Sequence, residues 1–139
     1  MREIIFRGKH KTNGAWVYGF YVHCADRWGR DKDLIQSLDP ESEEIGLLHE
    51  VDRETVGQFT GLTDKNGKKI FEGDVVRVYG EDLPRWNSVG QKVTVEYSFE
   101  YGGYKPFCEY DSDCGEYVEA GLCEVIGNIY DNPELLKGE

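Results

Sequence analysis

Between Glu54 and Tyr79 the chain alternates as a sheet does and reverses at glycine. Val56, Gln58 and Thr60 interleave with Gly57, Phe59 and Gly61, Asn66-Gly67 supplies a reversal, and Ile70-Phe71 resumes the extended run. Gly73-Asp74 turns again, and Val75 to Tyr79 is dense in β-branched and aromatic residues. Asn-Gly between such runs is a strong short-range hairpin signal, because a twist-matched two-residue turn needs positive φ at its central positions. The same chemistry recurs at Asn13-Gly14, between strands predicted at 2–7 and 15–23. In the second of these, Trp16, Tyr18 and Phe20 fall on one face at period two.

The remaining text supports a mainly β fold. Residues 26–54 read as polar and irregular, holding either a short helix from Asp39-Pro40 to Glu44 or a surface loop with one helical turn. A second polar break at 80–91 leads to a strand at Lys92–Tyr97, a turn at 100–104 and an extended run at 105–110. An acidic loop at 111–116, a last strand at 123–129 and a helical turn at 132–136 complete the chain. Eight or so short strands with little helix predict a barrel or several coiled antiparallel sheets. At 139 residues the chain can bury one core. The expected division is a hairpin and polar loop region at 1–53 and a barrel-like region at 54–139, together one compact unit. Nine Tyr, six Phe and three Trp favour half-buried sheet faces over helices.

The formal charge of −11 is unevenly spread. Residues 1–37 carry seven Lys/Arg against four acids, a net of +3, while residues 38–139 carry nine against twenty-three, a net of −14. This asymmetry sets the basic end of one copy opposite the acidic surface of another, or leaves a solvated acidic surface with a few basic residues near the N-terminus. No stretch approaches the ~18 apolar residues of a membrane span. The first residues follow a strand pattern and lack the apolar core of a secretory signal. Cytoplasm is therefore expected, with Cys24, Cys108, Cys114 and Cys123 as reduced thiols.

Candidate chemistry is thin. Cys108-x5-Cys114-x8-Cys123 lacks the close Cys pair that brings two thiolates to one zinc ion, and His23 and Cys24 point to opposite faces of a strand. His10, His23 and His49 lie in separate contexts, and no segment forces a nucleophile against a base. Asp64 to Glu72 superficially resembles a calcium loop. However, Gly67 is fourth and Glu72 ninth from Asp64, where such a loop needs Gly sixth and Glu twelfth. No metal or cofactor is expected. Arg2, Arg7, Lys9 and Lys11 with Trp16, Tyr18 and Phe20 form a small basic-aromatic patch, but the −14 beyond residue 37 disfavours nucleic acid as a partner.

Four segments carry a family resemblance. Residues 1–9 (Met-Arg-Glu-Ile-Ile-Phe-Arg-Gly-Lys), Trp16 to Gly19, Val56 to Val76 and Glu124 to Leu136 resemble the YopX-like family of phage and prophage proteins. The resemblance spans effectively the whole chain. It implies several coiled sheets, with a small barrel of the Src-homology-three type in the C-terminal part. It also implies a phage or prophage gene acting in the bacterial cytoplasm. It brings no catalytic residue or ligand. The segments at 26–50, 80–91 and 108–123 match no family motif, and partner specificity is expected there, since variable loops on a rigid scaffold carry binding.

The leading expectation is a non-enzymatic accessory protein, a self-associating β-rich interaction module with a phage or host protein as a further partner. Trp16, Tyr18, Trp28, Tyr79 and Trp86 are the candidate contact aromatics, since exposed aromatics anchor protein contacts. Asn13, Gly14, Asn66, Gly67, Gly73 and Asp74 are the structural turns. Two alternatives stand beside it. One is an acidic nucleic-acid mimic occupying a host DNA-binding protein, which needs carboxylates along one face. The other is a small metal-dependent hydrolase built on Asp111, Asp113 and Glu116.

Overall fold

A computed structural model describes residues 3–37 and 46–136. The protein is mainly β, with thirteen strands among the described residues and only three short 3₁₀ turns. The expected short helix at 39–44 lies outside the described residues. The chain divides into two units, Met1–Phe59 and Thr60–Glu139.

In the first unit, β1 (Phe6–Lys9) and β2 (Trp16–Ala25) form the predicted hairpin, with Phe6 opposite Gly19 and Lys9 opposite Trp16. β3 (Asp31–Ser37) pairs along β2 from Ala25↔Asp31 to Gly19↔Ser37, and β4 (Leu48–Glu50) pairs with β3. These two strands correct the reading of 26–54 as irregular. Asp31-Lys-Asp-Leu-Ile-Gln-Ser is too polar to look like a strand, yet Asp33 and Ile35 are buried while Lys32, Leu34 and Gln36 take the other face. A neighbouring β2 ten residues long supplies the ladder that local propensity does not. A 3₁₀ turn at Arg53–Thr55, with Asp52 accepting from the Glu54 amide, leads into β5 (Gly57–Thr63), whose first residues pair with β1. Ile35, Val51 and Phe59 form the buried apolar residues here.

Gly19 is dictated by contact. A Cβ at this position would sit 1.8 Å from the Gln36 carbonyl oxygen, so no other residue lets β2 approach β3 at this point.

In the second unit, the end of β5 is followed by β6 (Lys69–Phe71), to which it is bonded. β7 (Asp74–Arg77) is central in a three-stranded sheet, between β8 (Lys92–Thr94) and β13 (Glu124–Asn128). Its Val75 and Val76 are both fully buried, as a strand covered on two faces requires. The register of β13 slips between Val125 and Gly127, a bulge. β9 (Glu96–Ser98) pairs with β10 (Gly103–Lys105). The expected acidic loop at 111–116 is instead a tight hairpin of β11 (Tyr110–Asp111) and β12 (Glu116–Tyr117). Ile70, Val76, Val78, Val95, Tyr104, Val118 and Cys123 form the core.

The Asn-Gly turns differ from the two-residue reversal. Only the glycines, Gly14 at φ 71° and Gly67 at φ 79°, are left-handed, and no non-glycine residue has positive φ among the described residues. Each loop is longer: the His10 amide donates to the Ala15 carbonyl, and the Asp64 amide to that of Lys68. Side chains close them, Asn13 Oδ1 accepting from the Ala15 amide and Asp64 Oδ1 from those of Asn66 and Lys68. Asp64 reaches further, its Oδ2 accepting from the Val125 amide at 3.0 Å and so tying the loop to β13. Burial opposes ionisation of Asp64, but the Val125, Lys68 and Asn66 donors outweigh it and hold the carboxyl below the usual carboxylate range. At Gly73-Asp74 the Asp74 carboxylate accepts from the Phe71 amide at 2.8 Å. Gly73, at φ 88°, lets the chain pass Tyr130.

Candidate functional site

The alternation of β2 creates two unlike faces, and the pairing with β3 and β4 extends both. On the outer face Tyr18, Phe20 and Val22 are 44%, 51% and 46% exposed. Phe20 is opposite Gln36, which is opposite Leu48, itself 60% exposed. Residues directly opposite across antiparallel strands share a face, so these side chains form one solvent-facing stripe, apolar except for Gln36. Tyr18 and Phe20 lie on the solvent side, because the opposite face carries buried Ile35 and half-buried Tyr21. At the edge of the stripe, the Lys32 and Lys11 ammonium groups lie 3.0 and 3.2 Å from the Glu50 carboxylate.

The other face of β2 and β3 carries a polar cluster that the scattered histidines did not suggest. The Tyr21 hydroxyl donates to Asp33 Oδ1 at 2.5 Å, and His23 Nδ1 lies 2.9 Å from the same oxygen. Arg53, from the 3₁₀ turn, places Nε 3.4 Å from Asp33 and Nη2 2.8 Å from His23 Nε2. Burial works against the Asp33 carboxylate, yet donation from Tyr21, His23 and Arg53 keeps it below the usual range. Burial and the Asp33 anion push the Tyr21 hydroxyl upward. The same Arg53 Nη2 lies 2.9 Å from His23 Nδ1, so the guanidinium packs against the imidazole as a whole. A general base needs a ring lone pair within reach of a substrate. Here the imidazole is held between Asp33 and Arg53 and links β2, β3 and the turn. The signal was Tyr21-x-His23 facing Asp31-x-Asp33 at period two, legible only once β3 is recognised as a strand.

The contact aromatics do not gather in one place. Trp16 and Tyr18 are on β2, with the Arg7 guanidinium 4.6 Å from the Trp16 ring centre. Trp28, 69% exposed, sits on the β2–β3 turn with Arg27 and Arg30 at 5.1 and 4.9 Å. In the second unit Trp86 is exposed and Tyr79 is half-buried, with the Lys65 ammonium 4.7 Å from the Tyr79 ring centre.

The acids of the hydrolase alternative have different partners. Asp111 is buried and accepts from the amides of Arg85 and Asp113, at 3.2 and 3.1 Å. The Cys114 thiol and the Arg85 cation complete its surroundings, holding the carboxyl below its ordinary range. Arg85 also pairs with Asp113. Glu116 lies directly opposite Asp111 across the β11–β12 hairpin and lines a cavity of about 430 Å³, with Tyr79, Gly80, Glu81, Asp82 and Leu83 on one stretch and Tyr117, Glu119 and Leu122 on the other. Among the described residues no three His, Cys, Asp or Glu side chains converge as metal ligands. All four cysteines are free thiols, with Cys123 buried and its thiol pushed up by that burial. No helix among the described residues is long and apolar enough to cross a membrane.

The sequence matches the family model described as YopX protein over residues 5–137. The chain belongs to the YopX family. A stretch of 72 residues is 32% identical to the SPbeta prophage-derived uncharacterized protein YopX of Bacillus subtilis (strain 168). That match covers 52% of this chain and 53% of the relative, so it spans about half the length of each. The crystal structure of protein EF1440 from Enterococcus faecalis superimposes with a TM-score of 0.56 at 25% identity, covering 99% of this chain and 100% of that one. The YopX resemblance inferred from the terminal and central motifs thus agrees with the family match and the Bacillus relative, and the overall fold is shared with a solved structure.

Proposed function

We propose that this YopX-family chain is a prophage-encoded accessory protein of the bacterial cytoplasm, acting as a non-enzymatic module that associates with a second copy of itself. The observation that carries this reading is the outer face of β2, where Tyr18, Phe20 and Val22 stand about half exposed beside Leu48. These four side chains present on the order of 400 Å² of apolar surface, a size at which a monomer's patch is usually functional. A standard interface covers roughly 800 Å² per partner, so the stripe would form its apolar centre. Two features favour a second copy as the occupant. A flat antiparallel face meets its own twofold mate with every contact repeated. The edge of the stripe also carries both signs of charge, Lys11 and Lys32 beside Glu50, so a twofold mate can set the lysines of one copy against Glu50 of the other. The prophage-derived name of the Bacillus subtilis relative supports the phage setting.

Sedimentation velocity across a concentration series tests the proposal. A dimer that dissociates on dilution, and that Phe20→Ser shifts to monomer, is the expected result. A single monomeric species up to about 1 mM would reject it, since weaker self-affinity has no use at cellular concentrations.

A further inference from the structure

The cavity between the Tyr79–Leu83 and Glu116–Leu122 stretches has a chemistry that self-association does not use. Its volume of about 430 Å³ falls within the range of sites that enclose a small group. Two aromatic rings, Tyr79 and Tyr117, and two leucines, Leu83 and Leu122, supply apolar walls, while Glu81, Asp82, Glu116 and Glu119 bring four carboxylates to the rim. None of the four has a Lys, Arg or His within ion-pair distance among the described residues, in contrast to Asp111 and Asp113, which share Arg85. The Tyr117 hydroxyl, 3.4 Å from the Glu119 carboxylate, orients one of them. Of the two rings, Tyr79 already holds a cation, the Lys65 ammonium 4.7 Å from its centre, which leaves Tyr117 as the ring for a ligand. A ring face beside uncompensated carboxylates attracts a cation through both the quadrupole and the charge.

We infer that this cavity is a binding site for a Lys or Arg side chain presented by an extended segment of a protein partner. The alkyl stem lies against Leu83 and Leu122, the charged end meets the Tyr117 ring, and the carboxylates accept its N–H donors. The partner's chemistry is therefore a basic peptide, and the site is separate in sequence and mechanism from the apolar stripe of β2.

The test uses the full chain labelled with ¹⁵N and titrated with the tripeptide acetyl-Gly-Arg-Gly-amide, followed by amide shifts of Gly80, Glu81 and Glu119. Saturable shifts confined to these residues are expected, with binding weakened at least about tenfold in Glu116→Gln/Glu119→Gln and again in Asp82→Asn. The citrulline analogue, equal in shape and uncharged, is expected not to bind. Equal shifts with citrulline, no saturable shift at 10 mM peptide (on the order of the weakest specific contacts), or unchanged affinity in both variants would overturn the inference. Spermidine serves as a second arm: binding as tight as the arginine peptide would show a general cation sink rather than a peptide site. Because none of these readouts depends on oligomer state, failure here leaves the dimer measurement unaffected, and the reverse holds too.

Discussion

Replacing Phe20 with serine is the sharpest perturbation of the proposed contact. Phe20 is 51% exposed in the single chain, so its removal takes about half of a ~200 Å² aromatic surface out of any interface. At ~25 cal/mol per Å², roughly 100 Å² corresponds to ~2.5 kcal/mol for each copy. A twofold contact loses it twice, about 5 kcal/mol as an upper figure, because buried area converts only partly into affinity. Retaining half of that gives a dissociation constant raised roughly 100-fold. Serine keeps the strand position without adding charge, and the half of the ring already wet contributes little to the monomer, so the thermal midpoint at low concentration should move by only a few degrees. Sedimentation equilibrium on both proteins reads the constant, and circular dichroism checks the fold. An unchanged association constant with an intact fold would refute the assignment of this face. The same substitution at Phe99, which is 93% exposed at the β9–β10 turn, is the control and should leave association unaltered.

Other outcomes follow from the geometry. Gly19→Ala forces a Cβ to 1.8 Å from the Gln36 carbonyl, so β2 and β3 must separate locally. A loss of roughly 3 kcal/mol or more by urea unfolding is expected, and a loss under about 1 kcal/mol would contradict the close approach. Asp64→Ala removes the acceptor of three backbone amides, with an expected cost of about 3 kcal/mol by the same assay. The folded Asp64 carboxyl is held below its ordinary value, so its stabilisation is complete above the unfolded value of about 4. It is lost as pH falls through the lower folded value. The difference in thermal midpoint between wild type and Asp64→Ala should therefore be constant from pH 7 to about 5 and shrink below about 4; a difference that widened in acid would reverse the argument. Asp33→Asn removes the anion beside the Tyr21 hydroxyl, and a difference titration at the phenolate absorbance should show one tyrosine returning toward about 10. Superimposable titrations would show that Asp33 does not act on Tyr21.

Much of the scaffold is legible in the sequence. The hairpin β1–β2, the alternation of β5, the buried run of β7 and the terminal β13 all follow from apolar period and turn residues close together in the chain. The places where reading failed share one property. β3 is polar by composition and becomes a strand because β2 offers it a ladder, so the evidence for it lies twelve residues away, as with Tyr21 and Asp33. The Tyr21–His23–Asp33–Arg53 cluster was invisible for the same reason, since Arg53 is thirty residues from His23. Asn66-Gly67 correctly marked a reversal, but its length was set by Asp64, whose second oxygen is committed to Val125 across 61 positions.

Local signals, namely side-chain period and glycine at turns, determined that this chain is a set of short antiparallel strands, because the backbone conformations concerned are chosen among near neighbours. Which face of β2 met solvent was beyond such signals, because burial is decided by what packs opposite. Tyr21 and Ile35 turned inward, leaving Tyr18, Phe20 and Val22 in water. Likewise, only folding gave Asp111 and Asp113 a shared cation in Arg85 and set Glu116, opposite Asp111, on the lining of an aromatic-walled cavity. Charge can be counted along a chain, but its partners are chosen by distance in space.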